Sequence, residues 1–307
     1  MSPGWLLLVV TYLLVAPGIL LLGPLAGLLL VARPVSRQAW VTVVLAVAWC
    51  LLWVAQREAL PGQFLRAYSV SVIGAWVILA PRAPGRGLRQ AALAIAAASA
   101  VTFGWMMALG VRWADVELAT ARWWSSAFLE QARMADQLWG DAGPQLSAPL
   151  FELAGQARAI VQLLPAGLVL VTLAGLALAW RGHFALATSP LGPAPKPLAA
   201  FTFSDHAVWL VVISLALLLI PGGTAIPGAR QVAGNVLLVM LALYALRGGA
   251  VFRAGAGRVG PVGIVLYTVL TILMLAFVVS GLTILGLADT WLDFRRRMAP
   301  TTGGTQR

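Results

Sequence analysis

Apolar residues in this chain run in blocks long enough to cross a lipid bilayer, and that feature removes most folds from consideration. The blocks occupy about residues 5–32, 39–55, 64–80, 91–111, 160–180, 207–220, 232–252 and 261–288. A transmembrane helix needs roughly 20 apolar residues to cross a hydrocarbon layer about 30 Å thick. Inside lipid each span must satisfy its own backbone hydrogen bonds, which leaves helices or a closed barrel. The apolar/polar alternation of barrel strands is absent, so the chain reads as an all-α polytopic membrane bundle of about eight spans. Its composition agrees: 61% of the 307 residues are hydrophobic and 10% are charged, against about 25% charged in soluble domains.

The net charge of +11 does not indicate nucleic acid. Arginines sit in the short segments between blocks and in the run Arg295, Arg296, Arg297, the pattern that orients spans against anionic headgroups. Segments after the first, third, fifth and seventh blocks carry the larger share and are expected in the cytoplasm. Eight full crossings would place the basic C-terminal tail on the other side, so one block, most simply the first, reads as re-entrant or double. Lys196 is the only lysine, which suggests a GC-rich bacterial genome and hence a bacterial cytoplasmic membrane. The N-terminus lacks a charged leader region, and no cleavage is expected. Cys50 stands alone, so neither a disulfide nor a zinc cluster is expected.

The first block contains Pro17, Gly18, Gly23, Pro24 and Gly27 and reads as one tilted span or two short helices broken near the prolines. Residues 115–139 differ from the spans. Trp124, Phe128, Ala132, Ala135 and Trp139 share one helical face, and Arg122, Ser126, Glu130, Arg133 and Gln137 another. This pattern predicts an amphipathic helix lying in the membrane interface, ended by the run 140–149. The text TSPLGPAPKP within residues 188–205 predicts a flexible connector. It separates an N-terminal membrane half (1–187) from a C-terminal half (206–297) and a disordered tail (298–307). Ser204 or Asp205 is placed to cap the sixth span.

Chemistry-bearing residues are few. His183 and His206 lie at span ends without metal-ligand spacing, and the glycine-rich text near Ala254 follows no strand, so it is no nucleotide loop. No metal or cofactor is predicted. Arg247 either snorkels to headgroups or faces the bundle, where Gly248 and Gly249 allow close approach. With Asn235 and Tyr244 on the same span it forms the candidate ligand-binding set. Near the C-terminus Asp289 and Asp293 share a helix face, Asp293 can pair with Arg297, and Trp291 suits the interface. These four residues form a candidate partner or interface set.

The segments GNVLLVMLALYALRGGAVF and LGLADTWLDFRRR, with FTFSDHAVWLVVISLALLL before them, resemble the YybS-like family of bacterial multi-pass membrane proteins (domain of unknown function 2232). The likeness covers about residues 200–297 and extends to the N-terminal half by hydropathy. It implies a helical bundle similar to the substrate-binding subunits of energy-coupling-factor transporters, with possible solute binding, and it supplies no functional residues. A solute-binding or transport-related component is therefore the first functional expectation, with membrane lipids and a protein in the membrane as expected partners. The alternative is a scaffold acting through partners. Enzyme activity is not expected, because no span carries a convergent acid/base set.

Overall fold

The structure, a computed structural model, describes residues 3–56, 59–220, 228–255, 273–294 and 297. The chain divides into two compact units, Met1–Pro195 and Lys196–Arg307, and the boundary falls within the proline-rich connector. All regular structure among the described residues is helical. Among the described residues six helices are long and apolar enough to cross a membrane, and three shorter apolar helices accompany them.

In the N-terminal unit the first block is two helices, α1 (Pro3–Val15) and α2 (Ile19–Val31), broken at Ala16–Gly18. Pro24 lies inside α2 rather than at a break. With 13 residues, α2 is about 20 Å long, too short for a full crossing. It is nevertheless the most buried element. Ile19, Leu20, Leu21, Leu28 and Leu29 are sealed from solvent between α3 (Arg37–Ala55), α4 (Leu60–Leu79) and α8 (Leu164–Leu186). Gly23 and Gly27 let α4 approach, since a Cβ there would strike Ile73 and Val77. Helix α5 (Gly87–Ala108) completes the layer against α4 and α8 with the small buried residues Ala91, Ala94 and Ala98.

The amphipathic segment is α6 (Trp113–Leu138), and the side that carries Ala132 packs against protein, while Trp139 is exposed. Helix α6 ends at Leu138, as its following run predicts, but residues 143–149 are themselves helical. A short turn leads into α7 (Gly143–Val161), which folds back along α6 as a hairpin. Pro144 occupies the first turn, where its missing N–H costs nothing. The facing residues are small: Thr120, Ala121 and Ala132 on α6, and Ser147, Ala154 and Ala157 on α7. Trp124, Phe128 and Ala135 are half-buried beside Ala132, whereas Arg122, Ser126, Glu130, Arg133 and Gln137 are exposed.

The C-terminal unit contains α9 (Val208–Leu219), α10 (Ala229–Gly255) and α11 (Leu275–Leu292). Val211, Met240 and Tyr244 form its apolar centre. The last expected span, 261–288, begins outside the described residues, as does the tail 298–307.

The hairpin makes a direct prediction. Ala132→Leu and Ala157→Leu each overpack its seam and should destabilise the protein by about 1–3 kcal/mol, read as a lower melting temperature in detergent. An α6 lying alone on lipid would accept both leucines without loss.

Candidate functional site

Helices α10 and α11 run parallel. Thr283 lies 3.4 Å from the Leu241 carbonyl, a Cβ on Gly286 would strike the Tyr244 carbonyl, and Arg247 pairs with Asp289, so each contact joins residues 42 apart. An antiparallel pair would give a constant sum instead. Glycine is required at the crossing, because a Cβ on Gly248 would strike the Leu282 carbonyl. The backbones therefore approach closely enough to bury the polar residues beside them.

Arg247 is the centre of that buried cluster. Its Nε donates to Asp289 Oδ2 at 2.9 Å and its Nη2 to the Asp289 carbonyl at 3.3 Å. Its Nη1 donates to Asp205 Oδ1 at 2.7 Å. The Phe203 ring lies 5.6 Å from the guanidinium and packs edge-on against Tyr244 at 5.0 Å. Arg247 thus faces the bundle and does not snorkel. Asp205, expected to cap α9, gives its carboxylate to Arg247 instead. The hydroxyls of Tyr244 and Thr290 are neighbours but miss hydrogen-bond geometry.

The structure regroups the residues singled out from sequence. Tyr244, Arg247 and Asp289 come together. Asn235 does not join them: it lies about 18 Å along α10 from Arg247, and its Nδ2 donates to the Gln231 carbonyl one turn away. Asp289 and Asp293 do not share a helix face, because α11 ends at Leu292 and Asp293 turns into the left-handed region at φ 44°. Asp293 meets Arg297 through the backbone, the Arg297 N–H donating to the Asp293 carbonyl at 3.3 Å. Trp291 is exposed.

A second polar site, missed in the sequence, lies at mid-length of α8. Pro24 has no N–H, so it cannot donate the helical bond to the Leu20 carbonyl. That carbonyl and the Tyr12 hydroxyl converge on Gly175, where a Cβ would lie 2.6 Å from each. Tyr12 Oη donates to the Val171 carbonyl at 3.1 Å. One turn away Tyr68 Oη lies 3.2 Å from Thr172 Oγ1. Because Thr172 donates to the Leu168 carbonyl at 2.6 Å, Tyr68 is the donor of that pair. The signal was present in two forms: a proline four residues after Leu20, and tyrosines embedded in apolar blocks.

His183, near the end of α8, is also buried. Its Nε2 accepts the Leu191 N–H at 2.9 Å, and its ring packs near Trp180 and Phe184. Gly192, at φ +74°, fits against Pro84 with no room for a Cβ. The first residues of the connector are therefore fastened to the N-terminal unit rather than free. Among the described residues no group of three or more His, Cys, Asp and Glu is placed to hold a metal ion.

Residues 5–290 match the family described as predicted membrane protein (DUF2232). The chain belongs to that family. No curated protein and no solved structure matches it. Family and fold agree on a multi-pass helical membrane protein, with both polar sites inside the matched region.

The Arg247 cluster predicts unequal mutants. Arg247→Ala leaves Asp289 buried without its countercharge, a loss of about 3–5 kcal/mol, and should sharply lower abundance and melting temperature. Arg247→Met with Asp289→Leu, which removes both charges, should recover much of the loss. Asp293→Ala should change neither readout.

Proposed function

We propose that this protein is a solute-binding or transport-related component of the bacterial cytoplasmic membrane, with its solute seat in the N-terminal unit at the break between α1 and α2. One observation carries the reading: α2 is a short helix, buried over most of its length, whose internal proline withdraws a donor from a backbone carbonyl beside a tyrosine hydroxyl. Irregular backbone at membrane depth persists where it is buried in protein or lines a cavity, and transporters use such broken helices to hold substrate. The groups on offer are neutral: the Leu20 carbonyl, Tyr12 and the Tyr68–Thr172 pair. They suit a small, partly apolar solute carrying hydroxyl, amide or carbonyl groups. The same neutrality argues against proton coupling, so movement of the solute would draw on a partner's energy source or be passive, as in energy-coupling-factor systems.

A scaffold acting through protein partners is the second reading. What favours it is the engagement of Arg247, which reads as a structural lock.

Tyr12→Phe and Tyr68→Phe remove one hydroxyl each and should cost about 1 kcal/mol of stability. Full-length protein purified in mild detergent should carry a small molecule detectable by mass spectrometry, and its occupancy should drop severalfold in the Phe variants. If the wild type carries nothing and a ligand screen leaves its melting temperature unmoved, the scaffold reading replaces this one.

A further inference from the structure

We propose that Arg247 belongs to a latent binding site for aromatic carboxylates, and that the segment Phe203–Ser204–Asp205 occupies it as a tethered plug. Arg247 needs one carboxylate for neutrality yet holds two. The two differ sharply: the Asp289 side chain is 0% exposed, whereas that of Asp205 is 62% exposed, although both bind the same guanidinium, itself 6% exposed. Asp289 is the permanent partner, fixed on α11 and bonded through side chain and backbone. Asp205 opens a three-residue turn ahead of α9, preceded by irregular chain. Its bond to Nη1 lies on the solvent side and is the exchangeable one.

The plug describes its competitor. Phe203 covers the guanidinium face and packs on Tyr244, while Asp205 takes Nη1. Two residues apart on one segment, they present an aromatic ring and a carboxylate to a single Arg–Tyr surface. A small molecule joining a ring to a carboxylate through a short linker makes the same contacts, with the carboxylate on Nη1 and the ring on Tyr244. Because the plug is covalently attached, it acts at high effective concentration and masks the site. Displacing it frees the entry to α9, so occupancy is coupled to the conformation of residues 203–207. This site is separate from the neutral seat around Tyr12, and the two can fail independently.

The experiment uses the full chain in detergent or nanodiscs, with 3-phenylpropionate as probe and its uncharged amide as control. Asp205→Asn keeps the shape of the plug and removes its charge, so the acid should bind the variant at least about tenfold more tightly than the wild type, read by calorimetry or melting shift. The amide should not bind, and Tyr12→Phe should leave the acid's response unchanged. Wild-type protein at high probe concentration supplies a readout that does not depend on the variant folding: amide hydrogen exchange across residues 203–207 should rise severalfold with the acid alone. If Asp205→Asn is folded and gains no affinity, or acid and amide act alike, the proposal is overturned. If the variant does not fold, unchanged wild-type exchange overturns it.

Discussion

Lipid offers no hydrogen bonds, and every polar atom that enters it must find its partner within the protein. That constraint governs this structure more than any single contact. It makes the spans helical, and it decides what happens where helices are interrupted or carry charge. A buried guanidinium without a partner would be expelled or would unfold its helix. Arg247 stays because Asp289, Asp205 and a backbone carbonyl meet its donors. The close crossing at Gly248 and Gly286 is the geometric condition for that meeting, since bulkier residues would hold the two helices apart. The glycines and the ion pair are thus one device.

The same constraint explains why the fold was largely legible in the sequence and its sites were not. A span is announced by its own composition, so α3, α4, α5, α8 and α10 fall close to the blocks read from hydropathy. Arg247 and Asp289 are 42 residues apart on different helices. Helical periodicity places Asp289 relative to Asp293, its neighbour in sequence, but cannot reveal a partner on another helix. The expected Asp289–Asp293 face was a local inference, and a left-handed residue at the helix end dissolved it. Helix α7 was hidden for a related reason. Its glycine and prolines are punctuation by local propensity, yet packing against α6 outweighs the bond lost at Pro149, and Pro144 sits where proline is welcome.

Pro24 shows the opposite case, a local signal whose consequence is tertiary. A proline in a helix always withdraws a donor from the carbonyl four residues earlier. In a soluble protein water would take the vacant position. In α2 the carbonyl of Leu20 instead faces Gly175 and the Tyr12 hydroxyl at the centre of a packed unit. Glycine at 175 lets α8 approach, since a side chain there would strike both groups.

Depth then sorts the two polar sites by chemistry. The cost of a charge rises toward the middle of the bilayer, while neutral hydroxyls and carbonyls can be accommodated there. In the N-terminal unit the groups gathered against the middle of α8 are neutral, two tyrosines, a threonine and the Leu20 carbonyl, although Arg66 stands two residues before Tyr68 on α4, against the Trp53 ring. The charged cluster of the C-terminal unit lies where α10 and α11 near their ends and α9 begins. There Asp205 keeps contact with water while Asp289 does not. Neutral groups at mid-helix meet one another without a charge-desolvation penalty. A charged cluster near a helix end keeps its outer carboxylate in water. These are two answers to one constraint, and each follows from where the sequence places Pro24, Tyr12, Tyr68 and the Arg247–Asp289 pair.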